Sequence, residues 1–122
     1  LRRDLAEGDD HQDPRVSGSM WVRALGPLPD DAVVHDCLLL YASDHGTPWH
    51  VARPEGTDVG PSLDHSVWVH QRTWMDQWHH LRHEPTALAD ARGLYTGGMW
   101  RADGTHVATV AQENLIRPMD RR

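Results

Sequence analysis

With 122 residues, 39% of them hydrophobic and 25% charged, the chain is one globular domain's worth, and this composition excludes a disordered polyelectrolyte. Its net charge of −6, with all twelve cations arginine, excludes general nucleic-acid binding, which needs a dominant basic surface to neutralise phosphates. The longest apolar stretch, Cys37 to Ala42, is far shorter than the ~20 residues of a membrane span, so no span is expected.

"LRRDLAEGDDHQDP" has no apolar signal-peptide core, and residues 1–16 read as a polar linker or N-terminal extension. The chain is therefore expected to be a piece of something longer. "SGSMWVRAL" (17–25) alternates Met20, Val22 and Ala24 against Trp21, Arg23 and Leu25, which predicts a strand. "GPLPDD" makes a turn and offers Asp30 or Asp31 as an N-cap. The helix that follows, "AVVHDCLLLYAS", carries Val33, Val34, Cys37, Leu38, Leu40 and Tyr41. That apolar surface is wider than an amphipathic stripe and predicts a helix wrapped by other structure. Cys37 is expected to be a buried core thiol; a lone cysteine allows no intramolecular disulfide and fits the reducing cytoplasm.

Glycines and prolines between His45 and Pro61 predict a loop. "SLDHSVWVHQR" (62–72) predicts a strand with Leu63, His65, Val67 and Val69 on one face. "WMDQWHHLRHE" (74–84) stays open between helix and strand. Two β-rich runs flank Ala102-Asp103-Gly104, a hairpin whose second arm ends at Pro118. The order predicts an α+β fold with one helix against one antiparallel sheet.

Ten histidines invite a metal reading. His79 and His83, with His80 beside them, would share a helix face, whereas on a strand residues four apart lie roughly 13 Å from each other. No HExxH and no paired cysteine supports a site, and neither metal nor cofactor is expected.

Three segments, "PDDAVVHDCLLLYASD", "SLDHSVWVHQ" and "GTHVATVAQENLIR", occur in order and together resemble the C-terminal half of the acyl-CoA thioesterase II family, whose chains hold two hotdog domains. The resemblance implies a long central helix wrapped by a curved antiparallel sheet over residues 17–119, with 120–122 a tail. It also implies hydrolysis of acyl-CoA to free acid and CoA by a water held by three residues. On this sequence these are Asp44 of "YASD", Ser62 opening "SLDH", and Gln112 of "VAQE". Asp44 would take the water's proton, while Ser62 and Gln112 would hold the water or the carbonyl oxygen. Asp64 and His65 are expected to shape their strand rather than transfer protons. Arg72, Arg92, Arg101 and Arg117 are candidates for CoA phosphates. The expected partner is an N-terminal hotdog domain or a second copy of this chain. Two rivals remain: a non-catalytic acyl-CoA-binding or dimerisation hotdog, and a hydratase using His65 or His70.

Overall fold

The computed structural model describes residues 2–4 and 19–119. The strands are β1 (Arg2–Asp4), β2 (Ser19–Arg23), β3 (Thr57–Ser62), β4 (Ser66–Val69), β5 (His79–Ala89), β6 (Arg92–Arg101) and β7 (His106–Pro118). Two helices, α1 (Ala32–Ser43) and α2 (Trp49–Ala52), separate β2 from β3. All strand pairs are antiparallel, and the sheet runs β1-β2-β5-β6-β7-β3, with β4 also on β7. This is an α+β, hotdog-like arrangement of one curved sheet against α1.

The expected N-terminal strand is present as β2, with Val22 in the core. Asp31 is the N-cap of α1, its carboxylate accepting from the Val33 amide at 2.9 Å, which satisfies one of the helix's orphan donors. The open segment at 74–84 resolves into a turn followed by β5, because backbone pairing with both β2 and β6 captures it as a strand. The hairpin around Ala102-Asp103-Gly104 joins β6 to β7, with Gly104 at φ +90°, a conformation that favours glycine.

Four expectations are corrected. The long central helix is 12 residues, about 18 Å at 1.5 Å per residue. It is not wrapped on most sides: Val33 is 67% and Tyr41 62% exposed, and only His35, Leu39, Ala42 and Ser43 are buried. Cys37 lies on that same open side and is exposed rather than buried. The supposed loop at 45–61 contains α2 and β3. Its glycines and prolines limit the length of each element, but the β7 edge supplies backbone partners that local sequence does not reveal.

The predicted strand over 62–72 is also broken. Ser62 ends β3, Ser66 begins β4, and both strands lie along the same edge of β7. Between them the Leu63 amide donates to the Glu113 carbonyl at 2.9 Å, and the Glu113 amide donates to the Asp64 carboxylate at 2.7 Å. Asp64 thus replaces a missing backbone acceptor.

Two apolar clusters fill the concave side. Leu39 and Ala42 of α1 pack with Val22, Met75, Leu81, Met99 and Val107. Trp49 of α2 packs with Tyr95, Val110 and Ile116. Gly93 makes the second cluster possible, since a Cβ there would come within 2.6 Å of the Trp49 indole.

The two faces of α1 are expected to respond differently to truncation. Leu39→Ala should cost about 2–5 kcal/mol in urea unfolding, because it leaves a cavity in the first cluster. Val33→Ala, on the open side, should stay within about 0.5 kcal/mol of the parent.

Candidate active site

Gln112 and Asn114 sit two residues apart on β7, so both side chains project from the same face of the sheet, and both residues are buried. Buried amides need partners, and the surrounding elements supply them. Gln112 Oε1 accepts from His65 Nδ1 at 2.6 Å, and Gln112 Nε2 donates to Asn114 Oδ1 at 3.2 Å. Thr47, after α1, donates its hydroxyl to the same Asn114 oxygen at 3.2 Å. A primary amide carries two N–H donors, so Gln112 keeps one for a ligand.

His65 lies in the break between β3 and β4. Its Nε2 meets the Ser43 hydroxyl at 2.9 Å, and Ser43 Oγ also lies 2.7 Å from the Leu40 carbonyl. The hydroxyl has a single proton for these two acceptors. When it donates to the carbonyl, Nε2 must itself donate, which requires the imidazolium. Asp44 Oδ1, 3.8 Å from His65 Nδ1, would balance that charge. Asp44 is the C-cap residue of α1, and its side chain is half exposed.

The fold therefore brings two of the three expected residues, Asp44 and Gln112, to the same nitrogen of one imidazole, His65 Nδ1. Ser62 is the register partner of Asn114, but among the described residues no hydrogen bond joins its hydroxyl to Asp44 or Gln112. Sequence reasoning passed over Ser43, Thr47 and Asn114. The i, i+2 spacing of Gln112 and Asn114 was the available signal, because two polar side chains on an inward face demand partners. The four candidate arginines do not converge on this site. Arg72 pairs with Asp30 at 2.8 Å, Arg92 lies 3.9 Å from Glu113, Arg101 lies over Trp74, and Arg117 is opposite Asp58.

Beneath the network lie His83 and Tyr95, with ring centroids 4.6 Å apart. Tyr95 is the register partner of Gln112. Burial first, and the Asp44 charge second, push the Tyr95 hydroxyl up, so it remains protonated. Burial pushes the His83 imidazole down to about 4; the Gly46 backbone opposes this without forming a proper hydrogen bond, and His65 reinforces it. His83 is thus neutral at physiological pH.

His79 and His83 both lie on β5 rather than on a helix, which separates them by roughly 13 Å along the strand. Among the described residues no group of three or more His, Cys, Asp or Glu side chains gathers as metal ligands. Among the same residues no helix is long and apolar enough to cross a membrane.

Against this geometry, the family described as "Acyl-CoA thioesterase C-terminal domain" matches residues 3–116. The chain belongs to that family. Acyl-coenzyme A thioesterase 8 of Mus musculus is 35% identical over 102 residues, 80% of this chain and 32% of that protein. Acyl-CoA thioesterase II TesB2 from Mycobacterium marinum is 34% identical with a TM-score of 0.73, covering 84% of this chain and 41% of that one. The tesB protein of Mycobacterium avium subs paratuberculosis is 30% identical with a TM-score of 0.79, covering 96% of this chain and 47% of that one. The chain thus spans about a third of the curated relative and under half of the solved chains.

His83 makes the domain acid-sensitive. An unfolded histidine protonates near the ordinary value of 6.5 and the folded one near 4, so between these pH values the unfolded state holds more protons. Stability falls as pH drops through that window, by about 3 kcal/mol from this residue. His83→Gln should lose correspondingly less between pH 6.5 and pH 4 than the parent, as read by urea midpoints at both pH values.

Proposed function

We propose that this chain is the catalytic half of an acyl-CoA thioesterase, hydrolysing acyl-CoA to free acid and CoA without metal or covalent intermediate. The observation that carries the reading is the convergence of Asp44 and Gln112 on His65 Nδ1, with one Gln112 N–H uncommitted. Membership of the thioesterase family supports it.

A thioester carbon is electrophilic, so the protein must supply a placed water, a proton acceptor and a donor for the oxygen that becomes negative. Asp44 takes the proton as the water adds to the carbonyl carbon. The free Gln112 N–H donates to the water or to the developing oxyanion. His65, held by Ser43, fixes the Gln112 amide through its carbonyl oxygen, so the amide does not rotate as charge develops. Ser62, beside Asn114 in register, is the third member, donating to water or substrate once the site is filled. Collapse of the intermediate breaks the C–S bond, and CoA leaves as the thiolate before taking up a proton.

The compartment we propose is cytoplasmic. The partner is an N-terminal hotdog domain or a second copy of the chain, seated along the open side of α1. Val33, Cys37, Leu40 and Tyr41 are all exposed there, a stripe at helical spacing that water solvates poorly. Such a partner would complete the acyl tunnel over the half-exposed Asp44.

The test uses the full-length protein and a free-thiol assay with acyl-CoA. Asp44→Asn is expected to lower kcat by about 10²–10⁴-fold, the usual contribution of a positioned base. Gln112→Ala should lower it by about 10²–10³-fold, as for loss of one oxyanion donor. Turnover unchanged in both variants sinks the assignment. Tight binding of a non-hydrolysable acyl-CoA with no thiol release by the parent would instead establish the non-catalytic binding module.

A further inference from the structure

Asn114 does more in this site than hold Gln112. It is 4% exposed, and its Oδ1 accepts twice, from Gln112 Nε2 and from the Thr47 hydroxyl, each at 3.2 Å. The other half of the same carboxamide, Nδ2, carries two N–H donors, and among the described residues it bonds to nothing.

The direction of this amide follows from the network. His65 Nδ1 donates to Gln112 Oε1 at 2.6 Å, which turns Gln112 Nε2 toward Asn114, where only an acceptor can meet it. Thr47 Oγ1 accepts from the Trp49 amide at 3.3 Å and keeps its own proton for the same acceptor. With both donors on Oδ1, Nδ2 points away from Gln112 and Thr47.

Nδ2 is also open where other polar groups around it are not. Trp49 Nε1, the Tyr95 hydroxyl and both His83 nitrogens are sealed from solvent, so none of them can meet a ligand, but Asn114 Nδ2 is not among the sealed atoms. Trp49 closes the β6 side, its indole lying over Gly93, the register partner of Asn114 on that strand. On the β3 side the register partner is Ser62, which is exposed.

The free N–H groups of the two amides stand close together on one face of β7. Gln112 Nε2 lies 3.2 Å from Asn114 Oδ1, and Oδ1 is joined to Nδ2 through one carbon by bonds of about 1.2 and 1.3 Å. The two nitrogens are therefore at most about 5.8 Å apart, twice the usual N–H···O distance of about 2.9 Å, so one oxygen can accept from both.

We propose that Asn114 is a second oxyanion donor, with the carbonyl oxygen of the thioester set between Gln112 Nε2 and Asn114 Nδ2 and accepting one hydrogen bond from each. The role rests on the thioesterase reading. As the water oxygen bonds to the carbonyl carbon, the water's proton passes to Asp44 and the carbonyl π pair moves onto the oxygen held by the two amides. That pair re-forms the C=O bond as the C–S bond breaks, and the thiolate leaves with its electrons. Both donors are fixed before the charge develops, because Oε1 and Oδ1 are already tied down. Asp44 and Ser62 are then left to the attacking water.

The test variant is Asn114→Asp in the full-length protein, which keeps an oxygen for Gln112 and Thr47 and replaces the donating nitrogen. In a free-thiol assay with acyl-CoA, kcat is expected to fall about 10²–10³-fold with KM within about twofold of the parent, the pattern of an interaction made only in the transition state. Calorimetry adds a readout independent of turnover. It compares an acyl-CoA trifluoromethyl ketone, whose hydrate presents the tetrahedral oxygen, with an S-alkyl-CoA, which has no oxygen there. The variant should bind the ketone at least about tenfold more weakly and the S-alkyl compound as the parent does. In case the added charge unfolds this variant, Asn114→Ser, neutral and smaller, is measured in the same way. In whichever variant keeps the parent's urea midpoint, a kcat within about threefold of the parent, or equal weakening of both analogues, overturns the role and leaves the thioesterase reading intact. A parent protein that releases no thiol removes that reading and this role with it.

Discussion

Two amides buried on one strand, Gln112 and Asn114, impose the constraint around which the candidate site is assembled. A buried amide without partners costs roughly 1–3 kcal/mol per unsatisfied group, a large share of a small domain's stability. The partners come from two stretches far from β7 in sequence: Thr47 just after α1, and His65 in the β3–β4 break, itself held by Ser43 at the end of α1. Satisfying the amides therefore pins the helix end to the sheet, and pinning it there delivers Asp44 to the imidazole. The polar network that stabilises the fold and the geometry proposed for catalysis are the same set of bonds.

The break between β3 and β4 illustrates how an irregularity becomes useful. A continuous strand would pair His65 with β7 and hold it in the regular pleat. Instead Asp64 caps the Glu113 amide, the edge is interrupted without an orphaned donor, and His65 is released to reach Gln112 and Ser43. The two termini of α1 then divide the labour. Its C-terminal end meets the acidic and amide groups, and its N-terminal end anchors the Trp74–Trp78 segment through His35.

The open side of α1 ties the incomplete wrapping to the length comparison. Twelve helical residues pack one side on the sheet and leave an apolar stripe, including Cys37, facing outward. The expectation of a fully wrapped helix failed because apolar breadth records how many surfaces a helix eventually covers. It does not say whether those surfaces belong to the same domain. The two solved relatives are more than twice as long as the stretch matched here, and the proposed partner would supply that second surface.

Local sequence determined the α+β class, an N-cap at Asp30 or Asp31, the β6–β7 hairpin and its turn, and the residue types of the candidate site. These depend on neighbours a few positions away, through capping geometry, side-chain alternation and glycine's tolerance of positive φ. Only the tertiary structure decided that 57–62 is a strand, that 62–72 breaks at Asp64, that β5 begins at His79, and that Cys37 is exposed. Each of those follows from long-range hydrogen bonding or packing: an edge of β7 needing partners, a donor needing a cap, a helix covered on one side only. Asp44 and Gln112 were legible as candidates, but their relation through His65 was not, because that imidazole lies forty-seven residues from the amide it holds.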